Sequence, residues 1–316
     1  TYVDVILSLG LELFRAATAR KIKVNDDVLK HILVFTKEIT EEVETGVGVQ
    51  PEIGVELNLF VGKLSSKLGT EDVTRSTVRE KVSHRLSELL ERVDFLVHEV
   101  ERLTKQRVLV IVEDLDKTDL GTARRLFYEY ASSLLAPPVS IIYTFPTALR
   151  HDNVFMQVEM YFLTDCILPN LKTRQRDGSP DEDGLRELGS ILTRRVNENL
   201  FGPDAVRKLA ELSSGIPREL VALARRASLE AIKSNQPRIE LEAVEKAAQS
   251  KRRDYQVLLT GPQIELLGKV RQTKRVQNDE AHRELLHNLS ALEYRNEGLW
   301  YDVHPLIEPL LPQGES

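Results

Sequence analysis

The chain has 316 residues and a formal net charge of −6, with 41% hydrophobic and 29% charged residues. This length gives room for about two domains, and the ordinary composition excludes a disordered or collagen-like chain. The mild negative charge excludes nucleic-acid binding through the overall electrostatic field, so any basic surface must be local.

Cysteine content and hydropathy narrow the class of protein. Cys166 is the only cysteine, so it cannot form an internal disulfide, and we expect it in the core. No Cys and His residues have metal-ligand spacing, which excludes structural zinc and favours a reducing, cytoplasmic compartment. The longest uncharged run, residues 131–149, contains three prolines, so a membrane span is not expected.

The amino-terminal residues show no targeting signal. They lack a basic segment and a small-residue cleavage site, so we expect no signal peptide. They also lack an initiator methionine, and we expect the chain to be part of a longer protein.

The first third of the chain is predicted to be largely helical. Apolar residues recur at helical spacing over Tyr2–Ala19 and again over Val28–Ile39, which predicts two amphipathic helices. Glycines then break short apolar runs, which indicates an irregular or hairpin-like insertion at about 45–75. Another apolar stripe predicts a helix over Val78–Leu103.

A strand ending in carboxylates follows. Val108–Asp119 reads VLVIVEDLDKTD, and its apolar run predicts a strand buried on both faces of a parallel sheet. Thr118 and Asp119 can cap the next helix. Pro137 and Pro138 are expected to end that helix.

A second buried strand is predicted over Val139–Phe145. The order strand, helix, strand then forms a βαβ unit with parallel strands. A third strand around Asp165–Leu168 would extend this sheet.

The remainder changes character after the polar linker Arg174–Asp183. Residues 184–250 are predicted to be all helical, with helices at roughly 185–199, 203–212, 216–234 and 241–250. Helices over 262–275 and 279–290 follow, and the alternating pattern of LEYRNEGLWYDVH predicts a β-hairpin. This order indicates a winged helix over 256–312.

The acids that end the first strand are the candidate chemical site. Ligands of open α/β sheets bind at the carboxyl ends of the strands. Phosphoryl transfer needs one acid for the magnesium shell, here Glu113, and another to polarise water, here Asp114, with Asp116 supporting them. Alternatively, Asp114, Asp116 and Asp119 are ordinary cap and turn residues, and the residues alone leave both interpretations open.

Three segments in order resemble the nucleotide site of AAA+ ATPases and the related STAND ATPases. VLVIVEDLDK resembles the Walker B strand, SIIYTFP the sensor 1 strand, and SGIPREL the sensor 2 motif that opens a lid helix. The resemblance runs from Lys105 to the carboxyl end, and in particular to the replication-initiator clade. It implies an α/β fold: a partial P-loop NTPase core with a parallel sheet over 1–173, an all-α lid over 184–250 and a C-terminal winged-helix domain over 256–312.

The resemblance also implies roles for individual residues. Asp114 and Glu113 would be the catalytic and magnesium-binding acids. Thr144 would face the γ-phosphate of ATP, and Arg218 would reach the phosphates from the lid. Proline preforms the first helical turn, so Arg218 lies at a positive helix start where phosphate binds; the alternative is an ordinary surface arginine.

The chain departs from the family at three points. It contains no GxxxxGK followed by Ser or Thr, and we expect this phosphate loop upstream of Thr1. Glu113 stands where aspartate is usual. The segment VEMYFLTD offers no arginine finger, so Arg150 is the substitute candidate, and a nucleotide-dependent switch is more expected than a ring-forming motor, although a homo-oligomer is allowed.

A basic stretch precedes the hairpin, and it offers Arg271, Lys274 and Arg275 as candidate DNA contacts with salt-dependent binding. The alternative is a solvated helix face, which we favour slightly because acids in the first turn of the next helix would repel phosphates. Trp300, Tyr301 and His304 are expected in the hairpin core and a strand-end turn.

The expected function is a cytoplasmic, ATP- and Mg²⁺-dependent switch that couples its nucleotide state to the winged helix and to a protein or DNA partner. It is an ATPase only if the full protein supplies the phosphate loop. The alternatives are a non-catalytic interaction scaffold or a DNA-binding regulator, each derived from an ATPase.

Overall fold

The computed structural model describes residues 1–25, 84–162, 165–295 and 298–312. The helix predicted over Val28–Ile39 and the insertion at about 45–75 lie outside these residues. The chain divides into two compact units, the first formed by 1–149 and 154–163 and the second by 150–153 and 164–316. Four residues of the second unit, Arg150–Asn153, therefore interrupt the first unit in chain order.

Two long helices form one side of the first unit. Helix α1 (Tyr2–Ala19) packs against α2 (Leu86–Thr104) through apolar stripes, and Ile6 and Leu96 in this core are fully buried. Helix α2 ends where Lys105 adopts a left-handed conformation. The helix predicted over 2–19 is confirmed, and α2 confirms the described part of the helix predicted over 78–103.

A parallel pair of strands follows the helices. Strand β1 (Leu109–Val112) pairs with β2 (Ser140–Tyr143), which confirms the predicted βαβ unit. Asp119 caps the crossover as predicted, because its carboxylate accepts a hydrogen bond from the Thr122 amide at 2.8 Å. The crossover consists of α3 (Leu120–Arg124), a π-helical turn (Arg125–Glu129) and α4 (Ala131–Leu134).

The described residues cover only one face of this sheet. Val110 and Ile141 pack onto the core between α1 and α2. On the other face Leu109, Ile111 and Ile142 are 57%, 56% and 51% exposed. The prediction that the strands are buried on both faces is therefore wrong for these three side chains. The run VLVIV supplies two apolar faces, and the described residues form a covering layer on only one of them.

The segment after β2 contains a 3₁₀ helix (Thr147–His151) and α5 (Phe155–Tyr161). The third strand predicted around Asp165–Leu168 is wrong, because these residues pair with no strand. Leu168 is 93% exposed, and the following Pro169 has no amide hydrogen to give a sheet ladder. Cys166 is exposed, which corrects the expectation that it lies in the core.

The second unit begins with packed helices, as predicted over 184–250. Helix α8 runs along α9, and α7 contacts α6, α8 and α9. Leu188, Leu209 and Leu220 at these contacts are fully buried. None of the described helices combines the length and the apolarity needed to cross a bilayer. The helices are α6 (Glu182–Thr193), α7 (Ala205–Ser213), α8 (Pro217–Lys233) and α9 (Leu241–Leu258).

The carboxyl-terminal part is two helices and a hairpin, in the predicted order. Helices α10 (Gly261–Thr273) and α11 (Glu280–His287) precede strands β3 (Ala291–Tyr294) and β4 (Trp300–Val303). The strands are antiparallel, with Tyr294 opposite Trp300. Trp300, Tyr301 and His304 are buried, as expected for hairpin core and turn residues. Whether this arrangement acts as a winged helix stays a prediction.

Candidate functional site

The carboxyl ends of β1 and β2 lie side by side, because the strands are parallel. Thr144 follows β2, and its amide donates to the Val112 carbonyl at 3.1 Å. Its hydroxyl lies 3.3 Å from Oδ1 of Asp116, to which it donates. The fold thus joins two polar side chains that are 28 residues apart in sequence, at the edge where the sequence predicts a ligand.

Asp114 turns the chain away from β1. Its φ of 68° lies in the left-handed region, which aspartate tolerates better than most residues. Its carboxylate forms an exposed ion pair with Lys117, and Glu113 is also exposed. The acid that contacts Thr144 is therefore Asp116, for which the sequence predicted only a supporting or capping role.

The capping alternative applies to Asp119. Hydrogen bonds from Thr122 lower the pKa of the Asp119 carboxyl group, so it remains charged at the helix start where negative charge is favourable. Asp119 is therefore a structural cap, whereas Asp116 joins the two strand ends. Of the carboxylates after β1, Asp119 caps a helix, whereas Glu113, Asp114 and Asp116 are exposed at the strand end.

Magnesium chemistry was assigned to this strand end by resemblance. The described residues contain no group of three or more His, Cys, Asp or Glu placed to hold a metal ion. Magnesium bound with a nucleotide needs less, because one or two carboxylates suffice when water and phosphate oxygens complete the shell. The exposed carboxylates of Glu113, Asp114 and Asp116 meet that requirement.

Arg218 lies in the second unit, in the first turn of α8 and directly after Pro217. The turn before it is tight, with left-handed Ser214 and with Gly215 at a φ of 86°. A Cβ on Gly215 would lie 1.8 Å from the Leu171 carbonyl oxygen, so only glycine fits there. The predicted helix start and its exposed arginine are both present.

Arg218 lines a cavity of about 270 Å³ within the second unit. The cavity lies among the start of α8, the end of α9 and the end of α11. Among the described residues, the acids that line it are paired with other cations: Glu219 with Lys251 at 3.4 Å, and Asp254 with Arg226 at 3.1 Å. Within the described part of the chain, Arg218 is thus the arginine of the cavity wall that has no acid partner. The remaining lining residues are Tyr255, Leu258, His287, Asn288 and Leu289.

Sequence reasoning missed most of this cavity. Nothing in the sequence links Lys251, His287 or Leu289 to Arg218, because they lie on distant segments. Burial raises the pKa of Tyr255 in the cavity wall, and the nearby Glu219 and Asp254 carboxylates add to the effect. Tyr255 is therefore a neutral hydroxyl at physiological pH.

Arg150, the candidate arginine finger, belongs to the short piece of the second unit that interrupts the first. Its guanidinium forms an ion pair with Asp165, and only 20% of its side chain is exposed. Its charge is therefore engaged within its own chain. To serve a neighbouring subunit, Arg150 would first have to leave Asp165.

Two of the three candidate DNA contacts bind acids. Lys274 lies 2.8 Å from the buried carboxylate of Asp302, and its carbonyl accepts a hydrogen bond from the Tyr301 amide. Arg271 lies 2.6 Å from Glu308, whereas Arg275 is exposed. These pairs give Lys274 and Arg271 acid partners within the chain.

The candidate site residues form two separate groups: the Asp116–Thr144 contact at the strand ends in the first unit, and the Arg218 cavity in the second. No protein-family model matches the sequence, and comparisons with curated protein sequences and with solved structures also give no match.

Proposed function

We propose that this chain is part of a cytoplasmic ATP-binding and ATP-hydrolysing switch of the AAA+/STAND type. The contact between Asp116 and Thr144 at the carboxyl ends of two parallel strands carries the proposal. In this proposal β1 is the Walker B strand and β2 the sensor 1 strand. Helices α6 to α9 are the lid, and α10, α11 and the hairpin are the winged helix.

The polar groups at the strand end suit phosphate chemistry. When bound, Mg²⁺ neutralises negative charge on the phosphates, and Glu113 and Asp114 would hold its shell, as the resemblance implies. The Thr144 hydroxyl has a single hydrogen, and two acceptors share its reach: Asp116 Oδ1 at 3.3 Å and the Val112 carbonyl at 3.4 Å. A phosphate oxygen would compete for that hydrogen, so ligand binding would release the Asp116 carboxylate.

One face of the sheet is left exposed by the described residues, which supports a core that is larger than these residues. Parallel sheets are normally covered on both faces, and a two-stranded sheet alone is marginally stable. In the proposed core, a further layer of the protein would cover Leu109 and Ile111. The proposed activity also requires a glycine-rich phosphate loop, and the 316 residues contain no GxxxxGK followed by Ser or Thr.

A non-catalytic interaction scaffold is the second candidate. Asp114 is paired with Lys117 and Arg150 with Asp165, so two residues assigned to catalysis by resemblance have partners within the chain. The exposed apolar face of the sheet would suit a protein partner. A DNA-binding regulator is less favoured, because Lys274 and Arg271 are paired with acids.

ATP binding and hydrolysis by the full-length protein test the proposal. We expect Asp114→Asn to abolish hydrolysis and to spare ATP binding, and Arg218→Ala to weaken binding. Asp119→Asn is the matched control, because asparagine also caps a helix. Unchanged turnover in both site variants would overturn the site assignment, and a full-length protein that binds no ATP would favour the scaffold.

A further inference from the structure

The turn at Ser214 and Gly215, which precedes Arg218, is hydrogen-bonded to the carboxyl-terminal hairpin. The Ser214 hydroxyl lies 3.0 Å from the Tyr294 hydroxyl. The Tyr294 hydroxyl also lies within donating distance, 3.3 Å, of the Ser214 carbonyl oxygen. Both residues are buried, at 1% and 3% exposure. A buried hydroxyl that loses its partner costs more than an exposed one, so these contacts hold the turn firmly.

Apolar packing holds the same turn from a second side. Ile216 packs against the buried cluster of Leu292, Tyr294 and Trp300. The rings of Tyr294 and Trp300 stack, with centroids 4.4 Å apart and planes 18° apart. Because Ile216 immediately precedes the first residue of α8, the hairpin core fixes the point at which this helix begins.

The hairpin also reaches the wall of the Arg218 cavity. Leu289, just before β3, lines the cavity and packs against the Tyr294–Trp300 cluster. A group that enters the cavity would therefore meet Arg218 on one wall and a hairpin neighbour on another. Burial raises the pKa of Tyr294 to about 12, so its hydroxyl keeps its proton and remains a donor at neutral pH.

We propose that Tyr294 is a positioning residue for Arg218: through Ser214 and Ile216, the hairpin sets the direction in which α8 presents this arginine to an anion in the cavity. That the anion is a phosphate group of a nucleotide rests on the proposed function. Coupling between two sites is reciprocal. An anion on Arg218 therefore shifts the hairpin, and a partner on the hairpin changes the affinity of Arg218 for the anion.

Trp300 makes the coupling measurable, because it is the only tryptophan in the chain. The protein is titrated with Mg·ATP and, separately, with tripolyphosphate, while Trp300 emission and anion affinity are recorded. We expect a saturable emission change that Arg218→Ala removes. Tyr294→Phe keeps the ring against Trp300 but loses the hydroxyl, and it should weaken anion binding about fivefold, the equivalent of one net hydrogen bond.

Two further variants show that the effect belongs to this bond. Ser214→Ala removes the same hydroxyl pair from the other side, so the double variant with Tyr294→Phe should be no weaker than the weaker single variant. Tyr301→Phe is the matched control, since it also removes a hydroxyl from this hairpin. The Tyr301 hydroxyl lies 3.4 Å from a carboxylate oxygen of Glu293. It should leave anion affinity unchanged.

Hydrogen exchange tests the positioning without any ligand. The Leu220 amide bonds to the Ile216 carbonyl at 3.0 Å in the first turn of α8. Its exchange should accelerate several-fold in Tyr294→Phe, whereas exchange in α6 should not change. If the wild-type protein binds no anion while this exchange still accelerates, the nucleotide function fails and the positioning link stands. Unchanged exchange in Tyr294→Phe overturns the link, whatever the anion result.

Discussion

Thr144 and Asp116 join the carboxyl ends of neighbouring parallel strands through a hydroxyl–carboxylate contact of 3.3 Å. The contact lies at the place where a phosphate is proposed to bind. Asp116, which the sequence assigned a supporting role, is therefore the acid that contacts Thr144.

The first prediction concerns that contact. In the full-length protein, Asp116→Asn should lower ATP turnover roughly tenfold or more, because misplaced polar groups at a phosphoryl-transfer site typically cost at least that much. Asp119→Asn, which preserves the helix cap, should stay within about twofold of wild type, as expected for a surface change away from the chemistry. Steady-state turnover provides the measurement. Equal turnover in the two variants would show that Asp116 does not contribute to ATP hydrolysis.

The second prediction concerns the pair between Lys274 and Asp302. The Asp302 side chain is 7% exposed and that of Lys274 is 18% exposed, so Lys274→Ala leaves a buried carboxylate without its cation. We expect the free energy of unfolding to fall by about 3 kcal/mol. Urea denaturation measures it.

Lys269→Ala is the matched control for this prediction, because Lys269 is an exposed lysine on α10, the helix that Lys274 caps at its carboxyl end. Its cost should stay below about 0.5 kcal/mol. If the two alanine variants are equally stable while Lys274→Ala alone loses DNA affinity, Lys274 is a DNA contact and not a structural one.

The third prediction concerns the pH dependence of stability. His304 is fully buried, and its Nδ1 accepts a hydrogen bond from the Leu306 amide at 3.2 Å. Burial, with smaller effects of the Lys251 and Arg174 charges, lowers the pKa of His304 from 6.5 to about 3. The folded state therefore holds the neutral ring over a range in which the unfolded state is protonated.

The sign follows from that difference. The contribution of His304 to stability is complete above pH 6.5 and declines as the pH falls towards 3. The difference in unfolding free energy between wild type and His304→Gln should thus shrink between pH 7 and pH 5, by urea denaturation. His98→Gln, at a residue that is 72% exposed, should show a much smaller change. A difference that is constant with pH would mean that His304 titrates alike in both states.

The fourth prediction compares the two faces of β2. Ile141 packs onto the core between α1 and α2, whereas its neighbour Ile142 is 51% exposed. Ile141→Ala should cost about 2 kcal/mol or more of unfolding free energy, and Ile142→Ala less than about 0.5 kcal/mol. Chemical denaturation of this chain separates the two. A comparable cost at Ile142 would show that its face is covered.

Elements with a strong local signal were predictable from the sequence. Helix α1 begins and ends where its apolar period predicts, and the cap at Asp119 follows from its residue type. The hairpin followed from alternation around a turn. In each case neighbouring residues alone determine the structure, so no knowledge of distant contacts was needed.

The contacts between distant segments were not predictable. An apolar run such as VLVIV shows that two faces can be buried, but it does not show whether a layer covers each of them. In the same way, a cluster of acids does not reveal that Asp114 turns to Lys117 while Asp116 meets Thr144. Tyr294 was read only as hairpin alternation, because its partner Ser214 is 80 residues away.

The four residues Arg150–Asn153 affect how this protein can be divided. They are flanked on both sides by the first unit, yet His151 lies 2.9 Å from Glu293, and Arg283 donates to the His151 carbonyl at 3.2 Å. If the gene is split at a single boundary after residue 163, His151 remains in the amino-terminal half and Glu293 in the carboxyl-terminal half. The contact between the His151 imidazole and the Glu293 carboxylate is then lost. Separate expression of the halves would therefore create a defect in each, and functional assays belong on the undivided polypeptide.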